Sequence, residues 1–240
     1  MASNGVVEAF TALAARYEEE MDRELRMLWG VGYDAFVARL TELAAKAPGG
    51  RVLDVATGTA RIPAAMADGS DGTGRIVGLD ITWRMLTHGA ARLRGAEGRP
   101  RIALVCASAM AMPLVDGSFD AGICGLGMHH MDVPTVLGEM QRALTEGGRL
   151  VLVTVGARRY WRAAPVRALM HGMTFLYFTL RGRGARARAE AAATLNIYTA
   201  DEWREMVAEA GFARIEVRPE FIPRRPWYPY GLILRARKGD

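Results

Sequence analysis

The stretch RVLDVATGTA, residues 51–60, decides the fold of this chain. Its first half, residues 51–55, is short, apolar and rich in valine, and it follows two glycines, which is typical of a buried parallel strand. Its second half is a loop of small residues. The segment RIPAAM, residues 61–66, then places a proline where the first turn of a helix tolerates it. We therefore predict a strand, a tight turn and a helix N-terminus, with the carboxylate of Asp54 at the mouth of the turn.

The composition excludes several classes of protein. A chain of 240 residues that is 50% hydrophobic can bury a sizeable core. Its first residues lack a basic segment followed by an apolar one, and no stretch approaches the roughly 20 apolar residues of a membrane span. The net charge of +5 is a mild excess that does not indicate a nucleic-acid binder. We expect a soluble, cytoplasmic protein with no nucleic-acid partner.

The cysteines argue against disulfide and metal chemistry. Cys106 and Cys124 each end a predicted strand, and those two strands are not neighbours in the order that we predict. We therefore expect reduced, buried thiols and no disulfide. Neither cysteine stands at the spacing of a metal ligand, so the sequence predicts no metal.

The rest of the chain alternates between strands and helices. Residues from Val6 to about Lys46 predict two helices that break near WGVGY. Strands are predicted over residues 52–55, 75–79, 101–105, 119–125 and 149–155, and helices over 62–67, 85–94 and 134–144. The short spacing predicts an α/β fold of the Rossmann-like, doubly wound type. We expect a seven-stranded, mostly parallel sheet with an antiparallel last strand, N-terminal helices and a helical lid insertion.

The carboxyl-terminal part contains the insertion and the last strands. The segment TEGGRL, residues 145–150, predicts a helix stop before the fifth strand. Residues 158–196 are an insertion with clustered aromatic residues and methionines. Regular structure resumes with a helix that Thr199 or Asp201 caps and Gly211 ends. Strands over residues 212–217 and 230–238 follow.

A second acid allows the ligand to be inferred. Asp80 ends the second predicted strand and so lies beside the first loop, where a carboxylate can accept hydrogen bonds from both hydroxyls of a ribose. A nicotinamide dinucleotide requires a G-x-G-x-x-G loop for its diphosphate, whereas here the loop reads ATGTA and Asp54 adds a negative charge. S-adenosylmethionine carries no phosphate and has a cationic sulfonium and ammonium, so an acid at this loop favours it. We predict S-adenosyl-L-methionine as the cofactor.

Several segments together resemble the class I methyltransferase family, and within it the branch of ubiquinone/menaquinone biosynthesis C-methyltransferases. These segments are FTALAARYEEEMD, VLDVATGTA, VGLDITWRML, AMAMPLVDGSFDAGICGLGMHHMDVP and EMQRALTEGGRLVLVTV. The resemblance implies one methyltransferase domain over residues 1–240. Its parts are an N-terminal helical cap (1–47), a cofactor-binding core (48–157), a substrate-lid insertion (158–197) and a C-terminal helix with strands (198–240).

The resemblance also implies which residues hold the cofactor. Asp80 would hold the ribose, Ile81 would pack on the adenine, and the serine at 108 would accept the bond of the adenine amino group. The full implied set is Asp54, Ala56, Thr57, Gly58, Asp80, Ile81, Ser108, Ala109, Met110 and Gly125. Where the family commonly has a last loop glycine this chain has Ala60, whose methyl group predicts a negative φ.

Three residues are candidates for catalysis. His129 and His130 follow the fourth predicted strand, at the edge of the sheet where ligands bind in open α/β folds. If this segment is extended, neighbouring side chains face opposite ways and at most one histidine lines the site. Either that histidine takes a proton from the acceptor or both are structural. Tyr17, in ARYEEEMD, either closes over the ligands or packs on the core face of its helix.

The insertion contains an apolar segment and an arginine run. The segment YWRAAPVRALMHGMTFLYFTL, residues 160–180, would cover the site and favour a flat or lipophilic acceptor. The run Arg181, Arg183, Arg186 and Arg188 is either a solvated face or, with the apolar segment, a peripheral membrane contact over residues 160–188.

We therefore predict an S-adenosylmethionine-dependent methyltransferase that acts on C or O of an apolar, ring-containing small molecule such as a quinone, phenol or polyketide-like metabolite. One alternative is a protein of this fold that binds the cofactor but catalyses another reaction, such as a cyclisation. The other is a nucleic-acid methyltransferase, which the sequence disfavours because no motif for a flipped base follows the fourth strand.

Overall fold

The computed structural model describes residues 4–44, 50–68, 74–94, 101–225 and 227–239. Seven strands form its sheet, in the spatial order β3-β2-β1-β4-β5-β7-β6. Strand β7 is antiparallel to both of its neighbours, and the other pairs are parallel. The strands are β1 (Arg51–Val55), β2 (Arg75–Asp80), β3 (Arg101–Cys106), β4 (Phe119–Gly125), β5 (Leu144–Gly156), β6 (Phe212–Phe221) and β7 (Tyr230–Lys238). The prediction of a mostly parallel α/β sheet with an antiparallel last strand is confirmed.

Helices cover both faces of the sheet. They are α1 (Asn4–Leu13), α2 (Tyr17–Trp29), α3 (Tyr33–Ala44), α4 (Arg61–Asp68), α5 (Trp83–Arg92), α6 (Val133–Ala143), α7 (Ala164–Leu180), α8 (Gly184–Ala193) and α9 (Ala200–Glu209). One core packs strand residues such as Leu53 and Leu152 against α6 and α9. The other packs their neighbours Val52 and Val151 against α2 and α3. Because alternate strand residues enter opposite cores, the apolar runs of the sequence are continuous.

The amino-terminal and central boundaries differ in part from the sequence predictions. The break near WGVGY is present, and Gly30 there has a φ of +73°. A second break, a 3₁₀ turn over Ala14–Arg16, makes three helices where two were predicted. The predicted end of this region near Lys46, and the boundary at 47 and 48, lie outside the described residues. Helix α6 ends at Ala143, just before the TEGGRL segment as predicted, but β5 begins earlier than predicted, at Leu144, where it pairs with Phe119.

The expectation for the cysteines is half right. Both thiols are free, and β3 and β4 are not neighbours in the sheet. Cys124 is fully buried, and burial raises the pKa of its thiol to about 12. Cys106 is exposed, contrary to the prediction, because it ends β3, the edge strand, instead of lying inside the sheet.

The insertion folds as two helices that rest on the amino-terminal helices. Arg183 and Arg186, at the start of α8, form ion pairs with Glu20 and Glu24 of α2. Arg186 is only 6% exposed, so for this residue a solvated face is the wrong interpretation. Among the described residues, no helix is long and apolar enough to cross a membrane.

Candidate functional site

A buried acid supports the loop after β1 from the interior of the protein. The side chain of Asp54 is fully buried, and its Oδ2 accepts a hydrogen bond from Thr57 Oγ1 at 2.6 Å. The Thr57 N–H donates to the carbonyl of Leu79 in the neighbouring strand at 3.0 Å. These two bonds hold the small-residue loop at the carboxyl edge of the sheet.

Every second residue of this loop, from Ala56 to Ala60, has a left-handed backbone conformation. The φ angles are +57° at Ala56, +55° at Gly58 and +54° at Ala60. The prediction of a negative φ at Ala60 is therefore wrong. This conformation costs an alanine roughly 1–2 kcal/mol, and such strain is held only where the surroundings fix the backbone. At Ala60 its methyl group is fully buried, and its N–H donates to the carbonyl of Thr57 at 3.0 Å.

Burial controls the charge of Asp54. It raises the pKa of this carboxyl to about 7, the hydrogen bond from Thr57 lowers it, and the nearby carboxylate of Asp80 raises it. A cation bound in front of the loop would favour the charged form of Asp54. Asp54 does not line the cavity described below, and its hydrogen bond to Thr57 connects it to the loop.

Asp80 joins the ends of two strands at the site. Its Oδ2 accepts the backbone N–H of Gly58 at 2.9 Å, and its Oδ1 accepts that of Thr82 at 2.8 Å. A carboxylate has about four lone-pair positions, so each oxygen can accept a further bond from a ligand hydroxyl. Burial raises the pKa of Asp80, and the two backbone hydrogen bonds oppose that shift.

A cavity of about 710 Å³, counted with its open mouth, lies at this edge of the sheet. Most of its lining is apolar, and Asp80 supplies a carboxylate. The lining comprises Val6, Phe10, Tyr17, Ala56, Gly58, Leu79, Asp80, Ile81, Thr82, Met85, Ser108, Ala109, Met110, Gly125, Leu126, Gly127, His130 and Met131.

The cavity brings together most of the residues that the sequence singled out. Of the implied cofactor set, only Asp54 and Thr57 are absent from the lining, because both side chains are buried on the side of the loop away from the cavity. Tyr17 and His130 line the cavity, and His129 does not. Sequence reasoning missed Val6 and Phe10, whose helical spacing with Tyr17 resembles an ordinary core face.

Gly127 is a further residue that the sequence did not reveal. A Cβ at this position would lie 2.5 Å from the Cβ of Ala56 and 3.1 Å from the sulfur of Cys124. Only a glycine therefore lets the chain after β4 pass this close to the loop after β1. The segment GLGM at residues 125–128 was a usable signal, since glycines beside a predicted strand end suggest a close backbone approach.

The two histidines lie on a 3₁₀ turn over Met128–His130 and not on an extended segment. Their ring centroids are 4.3 Å apart, and the His130 ring meets Phe10 edge-on at 5.1 Å. Burial lowers the pKa of His129 to about 3 and that of His130 to about 4. Both imidazoles are therefore neutral at pH 7.

Tyr17 is held between two aromatic rings at the start of α2. The centroids of Phe10 and Tyr33 each lie 6.3 Å from its own. Burial raises the pKa of Tyr17 well above its usual value, so its hydroxyl remains protonated. The next residue, Glu18, accepts a hydrogen bond from Thr59 Oγ1 at 2.8 Å and pairs with Arg92. These contacts fix α2 against the loop after β1.

The proteins to which this chain is similar are methyltransferases. Residues 2–162 match the ubiE/COQ5 methyltransferase family. The chain is 30% identical over 213 residues to the ubiquinone/menaquinone biosynthesis C-methyltransferase UbiE of Geobacter sp. (strain M21), covering 85% of this chain and 86% of that protein. It is 32% identical over 181 residues to the demethylmenaquinone methyltransferase of Geobacillus kaustophilus, covering 71% and 74%.

Solved structures share the fold at low sequence identity. The [4+2]-cyclase SpnF superimposes with a TM-score of 0.69 at 19% identity and covers 98% of this chain and 94% of its own. The geranyl diphosphate C-methyltransferase of Streptomyces coelicolor superimposes with a TM-score of 0.68 at 14% identity, over 92% and 84%. At these identities the likeness extends to the fold only.

Proposed function

Because the chain belongs to the ubiE/COQ5 methyltransferase family, we propose that this S-adenosylmethionine-dependent methyltransferase acts on a ring carbon or oxygen of an apolar acceptor of the quinone or phenol class. One observation carries the choice of acceptor: the Asp80 carboxylate shares a single cavity with an otherwise largely apolar wall. The carboxylate suits the ribose of the cofactor. The wall suits a flat ring, since apolar surface leaves water when the ring binds.

The cofactor lies along the ends of β1, β2 and β3 in this proposal. Asp80 binds the ribose hydroxyls, Ile81 packs on the adenine, and residues 108–110 cover the adenine edge. Ala56, Gly58 and Gly125 border the methionine part. Asp54 and Thr57 support the loop from behind without touching the ligand.

The acceptor lies at the end of β4. In the order β2-β1-β4, this end is on the far side of β1 from Asp80. There Val6 and Phe10 of α1 and Met131 supply apolar contacts. A dry wall of this kind excludes water and holds the acceptor near the sulfonium methyl, at roughly 3–3.5 Å for an in-line displacement.

Among the candidate catalytic residues, we assign acceptor contact to His130 and Tyr17, and not to His129. A general base works best when its pKa is near the operating pH. With a pKa of about 4, His130 removes a proton poorly by itself, so we assign most of the rate to positioning. The protonated hydroxyl of Tyr17 is a hydrogen-bond donor that can orient an acceptor oxygen.

Product analysis tests this proposal. The purified protein is incubated with cofactor that carries a CD₃ group and with a panel of quinols, phenols and aliphatic controls. We expect S-adenosylhomocysteine and a labelled ring product, whose carbon or oxygen attachment NMR identifies. Methylation of the aliphatic controls alone would overturn the acceptor class. Acceptor conversion without S-adenosylhomocysteine would instead support the alternative of a cyclase or a related reaction.

The outer face of α7 supports peripheral membrane contact by the segment 160–188. Leu169, Met173, Leu176 and Leu180 follow one another at helical spacing and are 60%, 55%, 55% and 77% exposed. Arg181 follows them, and its guanidinium stacks on the exposed ring of Tyr177 at 4.2 Å. An apolar stripe that ends in a cation, on a chain of net charge +5, fits an anionic lipid surface from which a lipophilic acceptor could be taken.

Vesicle co-sedimentation tests the membrane contact. We expect binding to phosphatidylglycerol vesicles, and at least tenfold weaker binding for the double variant Leu176→Glu/Leu180→Glu. Val115→Glu is the matched control, because Val115 is 77% exposed and lies outside α7. Equal binding of the double variant and the control would overturn this contact.

A further inference from the structure

Three potential metal ligands meet beside the cavity. His129 and His130 come from the 3₁₀ turn after β4, and Glu190 comes from α8 of the lid. Each offers one ligand atom, and these atoms lie within 4.8 Å of one another. In the described part of the chain this is the one group of three or more histidine, cysteine or acidic side chains with that property.

The histidines have free coordinating capacity. The Nδ1 atoms of both rings are buried and have no hydrogen-bond partner. Buried polar atoms usually have one, so two on adjacent residues require an explanation. A neutral imidazole carries one nitrogen lone pair, which is what a metal ion needs.

The backbone of the turn is fixed in place. The side-chain amide of Asn196 donates to the carbonyl of His129 at 3.2 Å and to that of Met131 at 3.3 Å. Asn196 ends the insertion, so the lid itself holds the histidine turn. Such support orients ligands before an ion arrives.

A network of ion pairs lies next to the cluster. Three carboxylates, of Glu20, Glu24 and Glu190, face two guanidiniums, of Arg183 and Arg186, between α2 and α8. Arg23 reaches Glu20 from the surface, where it also pairs with Glu19. Arg186 Nε donates to Glu190 Oε1 at 3.1 Å, so the second oxygen of Glu190 can turn to an ion. The guanidinium of Arg186 opposes a bound cation, because it pairs with Glu190 and its positive charge also acts on His130.

We propose that His129, His130 and Glu190 form a binding site for a divalent transition-metal ion such as Zn²⁺. Two imidazoles and a carboxylate are a known ligand set for zinc, with bonds of about 2.0–2.2 Å. In a tetrahedral site the ligand atoms are about 3.4 Å apart, so binding needs a side-chain movement of about one ångström from the present separation.

Three protein ligands leave a coordination position open on the ion. Because His130 lines the cavity, this position is adjacent to the space that the acceptor occupies in the proposed function. The ion can there bind an oxygen of the acceptor and so fix its orientation. This role rests on the proposed function, whereas ion binding itself does not.

The proposal departs from the sequence expectation of no metal. The histidines and Glu190 are about 60 positions apart, and no spacing rule links them. Only the packing of α8 on the turn brings them together, and adjacent histidines on an extended segment would have pointed apart.

Metal titration of the full chain tests the site. The protein is treated with a chelator, and calorimetry with Zn²⁺ and the visible absorption of bound Co²⁺ are measured. We expect one ion per chain. In His129→Ala and in Glu190→Gln we expect at least about 100-fold weaker binding and loss of the Co²⁺ spectrum. His88→Ala, on α5 and outside the cluster, should bind as the parent does.

A second control separates ligation from structure. Glu24→Gln also removes a partner of Arg186 but no ligand, and it should keep both the affinity and the spectrum. The proposal is overturned if His129→Ala and Glu190→Gln bind as the parent does, or if Glu24→Gln loses the ion to the same extent as Glu190→Gln. Thermal unfolding of each variant checks that it is folded. Cofactor affinity is measured in parallel, so failure of the metal site and failure of the methyltransferase proposal are distinguished.

Discussion

The carboxylate of Asp80 accepts the backbone N–H of Gly58 at 2.9 Å, although the two residues are 22 positions apart. This bond ties the end of β2 to the loop after β1. The other carboxylate oxygen holds Thr82, at the start of α5. The acid that we assign to the ribose therefore also fixes the backbone of the loop that lines the same cavity.

The first prediction concerns this acid. Asp80→Ala should weaken cofactor binding by roughly 1.5–3 kcal/mol, which is about 10- to 150-fold, because charge-assisted bonds to the ribose are lost. Asp80→Asn keeps one acceptor oxygen and should lose less. Calorimetric titration measures both. Asp120→Ala is the control, since Asp120 pairs with Arg51 at the opposite end of the sheet. Equal affinity of Asp80→Ala and the control would contradict the assignment.

The second prediction concerns the close approach of Ala56 and Gly127. Gly127→Ala should destabilise the protein strongly, because its Cβ would lie 2.5 Å from that of Ala56. Ala56→Gly should stabilise it by about 1 kcal/mol, since it relieves a left-handed alanine. The double variant removes one of the two clashing atoms and should recover part of the loss. Urea unfolding of the parent, the two single variants and the double variant gives a double-mutant cycle. Strictly additive changes in the free energy of unfolding would show that the two positions do not interact.

The sequence predicts the sheet and the cofactor side of the site because both depend on local signals. Continuous apolar runs define the strands, and Asp80 is recognisable as an acid at a strand end. Parallel strands bring their carboxyl ends to one edge, so the residues of the loop and of the second strand end meet without further information.

The rest of the site depends on contacts between distant segments. Phe10 lies on an amphipathic helix, and the pattern of that helix does not tell which part of the fold its apolar face contacts. Glu190 reaches the histidines only through the packing of α8. The negative φ predicted for Ala60 rested on the intrinsic preference of alanine, which contacts from outside the loop override. There the loop is fixed by Asp54 and Thr57, which are buried behind it.

The third prediction is a dependence of stability on pH through Asp54. Its pKa is about 7 in the folded chain and about 3.9 when unfolded, so the folded state binds more protons between these values. The contribution is full below pH 4 and is lost as the pH rises through 7. Relative to Asp54→Asn, the parent should therefore lose about 3–4 kcal/mol between pH 4 and 8. Urea unfolding across this range measures it, and parallel curves would contradict it.

The fourth prediction concerns the contact between the lid and α2. Glu20 is 4% exposed and accepts two hydrogen bonds from Arg183, at 2.7 and 2.8 Å. Glu20→Gln should lower the free energy of unfolding by about 1–3 kcal/mol, because it leaves a partly buried guanidinium short of its charged partner. Arg183→Lys should also be costly, since an ammonium does not reproduce the two parallel bonds.

The location of the effect distinguishes a lid contact from general destabilisation. If Glu20 holds the lid, amide hydrogen exchange in Glu20→Gln should rise most in α8 and remain near the parent value in α9, which packs on the other face of the sheet. Arg23→Gln is the control, because this side chain is 58% exposed and pairs mainly at the surface, and it should change stability by less than about 0.5 kcal/mol. Faster exchange spread equally over α8 and α9 would show that the Glu20–Arg183 pair stabilises the whole fold instead of fastening its lid.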